Sequence, residues 1–122
     1  MGKKESFLSN RIKSIGYASK GAWLLLKTEA SIKIQFTIAV IVTIAGFYYD
    51  ISATEWLFQI LSIGLVISVE GLNTAIEKLS DFIHPDHHKK IGFIKDIAAG
   101  AVFVAAITAI LIGLTIYIPK IF

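Results

Sequence analysis

The amino-acid sequence predicts an all-α integral membrane protein, with an N-terminal amphipathic surface helix and three transmembrane helices. Three observations lead there. Hydrophobic residues make up 55% of the 122-residue chain, and the mean hydropathy is +0.70, above that of soluble domains. The apolar residues gather in three long runs separated by short polar connections. The basic residues are distributed asymmetrically about those runs. The length is that of a single domain, 1–122. With no cysteine, there can be no disulfide, thiolate metal site or cysteine nucleophile. Residues 1–10 are polar and lack a signal-peptide core, so insertion is expected to rely on internal segments.

Residues 5–28 are expected to form the surface helix. Phe7, Leu8, Ile12, Ile15, Ala18, Ala22, Trp23 and Leu26 recur at steps of three and four, with Lys13, Lys20 and Lys27 among the remaining positions. Gly16 and Gly21 weaken it. The first span is read as 30–49, with Lys33 snorkelling. The second, 54–82, opens on Ser52-Ala53-Thr54-Glu55, which fits a capping box. His84-Pro85-Asp86 breaks it, because proline cannot continue a helix. The loop is expected to reach about Ile91, and the third span, 92–118, to close at Pro119. Phe47, Tyr48, Tyr49 and Trp56 form an aromatic belt at one membrane face. Small residues form two stripes: Gly64, Ser68, Gly71 and Ala75 on the second span, and Ala98, Ala101, Ala105 and Ala109 on the third. Such stripes suit close helix packing.

Eleven of the 12 lysines and arginines lie before the first span, at its start, or between the second and third; Lys120 is the exception. The positive-inside rule then puts the N-terminus and the 83–92 loop in the cytoplasm, in a multi-pass protein of the bacterial inner membrane. The polar groups with chemical potential fall on that side too.

Val69 ends an apolar run, and Glu70 follows it directly. Asn73, Glu77 and Asp81 share Glu70's side of the helix within an arc of about 80°. A carboxylate at the edge of a membrane span is costly and marks a functional site by default. Glu29 starts the first span at the same face, and Lys95-Asp96 start the third. Two glutamates from different helices suit Mg²⁺, which keeps water and phosphate oxygens as further ligands. A third carboxylate can act as general base, and a lysine can pair with phosphate. Together these are the components of phosphoryl transfer. Plainer roles exist for several: Glu29 can pair with Lys33, Asp96 with Lys95, and Lys78 and Asp81 can be solvated. His84, His87 and His88 lack the spacing of a transition-metal site, and contact with nucleotide is the better expectation. No Walker-type loop, G-x-S-x-G or H-E-x-x-H motif is present. A small channel, holin-like protein or scaffold is the non-catalytic alternative.

With these residues in view, the chain resembles the prokaryotic diacylglycerol kinase family, which includes undecaprenol kinases. The resemblance rests on Glu70-Gly71-Leu72-Asn73-Thr74-Ala75-Ile76-Glu77-Lys78-Leu79-Ser80-Asp81, on Thr28-Glu29, and on the run from Gly92 to Val102. It implies an ATP-dependent kinase that phosphorylates a membrane lipid alcohol, diacylglycerol or undecaprenol, at the cytoplasmic interface. It implies a homotrimer with sites shared between protomers, Mg²⁺ as cofactor and no nucleic-acid partner. Glu70 would be the catalytic base, and Glu29 and Glu77 the metal ligands. Tyr17, Glu29, Asn73, Glu77, Asp86, His87, His88, Lys95 and Asp96 would bind ATP. Glu70, Ala99 and Trp23 would meet the lipid, which the surface helix helps admit. The sequence departs from the family pattern at Asn10, where an arginine is usual and Arg11 is adjacent. It also has Gln35 where some members carry glutamate, and Ala99 where diacylglycerol-type members carry serine. The His87-His88 loop and the Ile118-Pro119-Lys120 ending resemble the Gram-positive branch, whose acceptor is often undecaprenol.

Overall fold

The structure, a computed structural model, describes residues 6–122. Lys3, Lys4 and the expected start of the surface helix at residue 5 lie outside the described residues. Four helices follow in order: α1 (Phe7–Thr28), α2 (Ala30–Tyr48), α3 (Ala53–Ile83) and α4 (Lys89–Ile121). The last three are long and apolar enough to cross a membrane. The protein is an all-helical integral membrane protein.

Each boundary has a local cause. Ser6 caps α1, its hydroxyl accepting from the Ser9 amide at 3.1 Å. Gly16 and Gly21 do not interrupt that helix. At Glu29 the backbone turns extended (φ −103°, ψ 118°), ending α1 and starting α2 at one corner residue. α2 stops in a Schellman arrangement. Asp50 takes φ 51°, its amide donates to the Phe47 carbonyl, and the Ile51 amide donates to Gly46. Ile51 is then buried. The capping box at Ser52 forms in both directions: the Ser52 hydroxyl accepts from the Glu55 amide at 3.1 Å, and the Glu55 carboxylate from the Ser52 amide at 2.9 Å.

Two boundaries differ from the sequence expectation. α4 begins at Lys89 rather than beyond Ile91, because His88 caps it: the ring Nδ1 accepts from the Lys90 amide at 3.1 Å. Pro119 lies inside α4 instead of closing it. Proline removes one backbone donor, but in a last turn little depends on that donor. The Phe122 amide still donates to Ile118 at 3.0 Å.

α3 packs most extensively on α4, less on α2, and α1 leans on α2. α3 is polar inside and apolar outside. Its buried residues are Gln59, Ser62, Val66, Glu70, Asn73, Thr74 and Ser80. Leu57, Phe58, Leu61, Leu65, Leu72 and Leu79 are exposed. A soluble protein has no use for that inversion, whereas in lipid it costs nothing to expose leucine and much to expose an amide. The small-residue stripes behave unequally. Ala98 and Ala105 are buried. Of the α3 stripe, only Gly71 is close-packed within the chain, against Leu25; Gly64, Ser68 and Ala75 face outward.

Depth follows from length. The 31 residues of α3 span about 46 Å at 1.5 Å each, against about 30 Å of hydrocarbon. Roughly 20 residues counted from Ala53 cross the apolar layer. Glu70 therefore lies just inside its far edge, Asn73 at the edge, and Glu77 and Asp81 beyond it. At the opposite end, Trp56 stacks on Phe47 with centroids 4.9 Å apart, and the Trp56 ring covers Gly46.

A methyl group on Gly46 would sit 2.6 Å from Trp56 Cη2. Gly46→Ala is expected to destabilise the α2–α3 turn by about 1–3 kcal/mol. Asp50→Gly is expected to relieve the left-handed backbone and gain up to about 1 kcal/mol. Thermal unfolding in detergent micelles checks both: the midpoint falls for the first and rises for the second.

Candidate active site at the edge of the apolar layer

Glu70 and Asn73 are each 8% exposed, one turn apart on the inner face of α3. The Glu70 carboxylate has no hydrogen-bond or ion-pair partner among the described residues. Asn73 donates through Nδ2 to Glu77 Oε1 at 2.8 Å. Its own Oδ1 is buried without a donor among the described residues. A buried acceptor left unmet costs about 1–3 kcal/mol. The exposed Glu77 is thereby held with one carboxylate oxygen oriented by Asn73.

Glu29, at the α1–α2 corner, faces α3. Its Oε2 lies 3.8 Å from Lys78 Nζ, with the glutamate side chain 22% exposed. The partner is thus Lys78, not Lys33, and the contact brings Glu29 to the turn of α3 that carries Glu77. Lys95 pairs with Asp81 across α3 and α4, not with Asp96. Both side chains are well exposed, so the pair is worth at most about 1 kcal/mol and serves chiefly to align the helices. Asp96 and Ala99 are exposed on α4. Tyr17 and Trp23 are exposed on α1, without hydrogen bonds or ring contacts among the described residues.

The loop between α3 and α4 is ordered by its histidines. His84 Nδ1 donates to the Asp86 carbonyl at 2.7 Å, which fixes its proton on that nitrogen. Its ring meets His88 with centroids 4.8 Å apart. Asp81, His84, Asp86, His88, Gly92 and Lys95 surround a small polar hollow of about 100 Å³. Among the described residues, no group of three or more His, Asp or Glu side chains is close enough to hold a metal ion. The carboxylates brought to this part of α3 are those of Glu29 and Glu77, hard oxygen donors of the kind Mg²⁺ takes together with phosphate oxygens.

Sequence reasoning missed Thr74 and Ser80, both 5% exposed. They lie at helical steps from Glu70 and Asn73, a signal that was present in the spacing.

The model of the prokaryotic diacylglycerol kinase family matches residues 16–117. The chain belongs to the prokaryotic diacylglycerol kinase family. Across 113 residues it is 41% identical to the undecaprenol kinase of Bacillus subtilis (strain 168), covering 93% of this chain and 92% of that protein. Across 103 residues it is 33% identical to the diacylglycerol kinase of Escherichia coli (strain K12), covering 82% of each. Similarity of 32% over 111 residues extends to the diacylglycerol kinase of Synechocystis sp. (strain ATCC 27184 / PCC 6803 / Kazusa). Members of a diacylglycerol kinase family are lipid kinases. The matched span takes in Glu29, Glu70, Asn73, Glu77 and the histidine loop, and leaves out Arg11.

The His88 cap yields a test. His88→Ala is expected to cost about 1 kcal/mol at the start of α4, and His88→Asp to restore it. Hydrogen exchange of the amides at residues 89–93 reads this directly: faster in the alanine variant, near wild-type in the aspartate variant.

Proposed function

We propose that this protein transfers the γ-phosphoryl group of ATP to the hydroxyl of a membrane lipid alcohol, at the cytoplasmic edge of the bilayer and with Mg²⁺ as cofactor. One observation carries this reading: Glu70 is buried and unpaired just inside the apolar layer, one turn below the Asn73–Glu77 pair. A lipid hydroxyl lives at that depth, and a nucleotide arrives from the water above it. A base for the first and oxygen ligands for the second stand on consecutive turns of one helix.

The residues divide the work by depth. Glu70 accepts the proton of the lipid hydroxyl as its oxygen attacks the γ-phosphorus. The bond to the β-phosphate oxygen breaks, and ADP leaves. Glu29 and Glu77 hold the divalent ion, and Asn73 fixes the orientation of Glu77. That ion, when bound, neutralises charge on the transferring phosphates. Lys95 and Asp96, with Asp86, His87 and His88 of the loop, contact the nucleotide, as does Tyr17 from α1.

The orientation follows from the lysines and arginines, which crowd the end of the bundle that carries Glu70. α1 lies along that surface, with Trp23 and Ala99 beside the path of the lipid. In the homotrimer that the family resemblance implies, a neighbouring protomer completes each site, and the outward-facing Gly64, Ser68 and Ala75 let helices approach closely. The greater identity to an undecaprenol kinase favours undecaprenol over diacylglycerol as acceptor.

Transfer of radiolabelled phosphate from ATP to undecaprenol and to diacylglycerol, offered side by side, tests the reaction and its acceptor. Glu70→Gln is expected to lower kcat about 10²- to 10⁴-fold with little change in KM for ATP. Asn73→Ala is expected to raise the Mg²⁺ concentration needed for half-maximal rate, because Glu77 loses its anchor. Full activity in Glu70→Gln would end this assignment.

A further inference from the structure

The start of α4 is held by one ring nitrogen. Its first turn reads Lys89-Lys90-Ile91-Gly92 and contains no carboxylate. Lysines at the positive end of a helix dipole are unfavourable, and glycine is a poor helix former. Against them stands the cap at His88. Its backbone is extended (φ −142°, ψ 133°), and its Nδ1 accepts from the Lys90 amide at 3.1 Å. The usual caps are serine, threonine, aspartate and asparagine, which accept through oxygen throughout the neutral range. An imidazole nitrogen accepts only while it carries no proton. Histidine gains that proton between about pH 8 and pH 5.

The two stacked rings of the loop respond to a proton in opposite ways. His84 already uses its Nδ1–H to donate to the Asp86 carbonyl. A proton added to that ring goes to Nε2 and leaves the bond intact. In His88 the free acceptor is Nδ1 itself, so the added proton lands on the capping atom. The ring centroids are 4.8 Å apart, so a charge on His84 also opposes a charge held at the cap. The hollow beside them is lined by Asp81 from α3, by Asp86 and His87 from the loop, and by Lys95 from α4. Lys89 and Lys90 follow the ring in the chain. Asp81 and Lys95 pair with each other. The Asp86 carboxylate has no partner among the described residues, and a protonated His88 can turn to it once the cap is lost. The Lys95–Asp81 pair fastens α4 to α3 in the next turn, so unwinding stops there.

We propose that His88 makes the first turn of α4 a pH-sensitive element, wound while the ring is neutral and released when it is protonated, with nucleotide held less tightly as the turn opens. The sign follows from the lone pair. The cap is complete at the alkaline end of the histidine range and is lost as the pH falls through it. The cap half of the proposal stands on the hydrogen bond alone. The nucleotide half rests on the kinase reading, which sets His87 and His88 against ATP.

Amide hydrogen exchange of the full chain in detergent micelles tests the cap, with protection factors corrected for the intrinsic effect of pH. Between about pH 8 and pH 5.5, wild-type protection at residues 89–93 is expected to fall about tenfold, while that at 97–105 holds. In His88→Asp the capping carboxylate stays ionised at both values, and protection at 89–93 is expected to hold as well. Wild-type protection that does not change, or that falls equally in His88→Asp, overturns the proposal. KM for ATP is measured at the same two pH values. The ratio of wild-type KM to that of His88→Asp is expected to rise about fivefold on acidification, a comparison in which titration of ATP itself cancels. A constant ratio beside a lost cap overturns the link to nucleotide. A wild type that transfers no phosphate at either pH refutes the kinase reading and the nucleotide half with it, and the exchange data decide the cap independently.

Discussion

The antiparallel pairing of α3 with α4 holds Glu70 at its depth. Charge and amide contacts fix it along its length: Asp81 with Lys95 at one end, Gln59 with Tyr117 and Glu55 with Lys120 at the other. Each contact is modest in energy. Their combined effect is register, because slipping by one turn would unpair all of them and strand Gln59 in an apolar layer. With register fixed, α3 crosses the hydrocarbon and carries one polar turn at its edge and two beyond. Most of what is distinctive about the chain is arranged on those turns.

Polar groups on α3 are separated by depth, and that separation organises the chemistry. Gln59 and Ser62 sit deep and are satisfied within the bundle, Ser62 by the Phe58 carbonyl at 2.8 Å. Glu70 sits at the boundary with no partner among the described residues. Asn73 is half satisfied: its NH₂ group is committed to Glu77, and its oxygen is buried without a donor among the described residues. The sequence of full, absent and partial satisfaction rises toward the water. Folding alone would favour satisfaction throughout, and the proposed site is built on the groups left unmet.

Much of this could be read from the residues. The apolar runs, the Ser52–Glu55 box and the break at His84-Pro85 are local signals with local causes, and the structure follows them. The adjacency of Val69 and Glu70 marked the turn of α3 on which the structure buries Glu70 and Asn73. What was not legible depends on partners distant in sequence or on weak local rules. Pro119 reads as a stop, but one lost donor in a last turn does not end a helix. His88 is not a usual capping residue, so the earlier start of α4 gave no warning. Glu29 finds Lys78 rather than Lys33, because the chain turns a corner at Glu29 itself. Gln59 and Tyr117 each look like isolated polar residues at the ends of apolar runs. Only the α3–α4 register joins them.

In the proposed site, the two carboxylates assigned to the divalent ion, Glu29 and Glu77, come from different helices. If both hold one ion, each substitution should weaken Mg²⁺ activation and the pair should be strongly non-additive. A double-mutant cycle of Glu29→Gln and Glu77→Gln, read as the Mg²⁺ concentration giving half-maximal phosphate transfer, measures this directly. The expected result is a double variant scarcely worse than either single one. Effects that multiply independently would place the two carboxylates on separate tasks and contradict a shared ion at the head of the bundle.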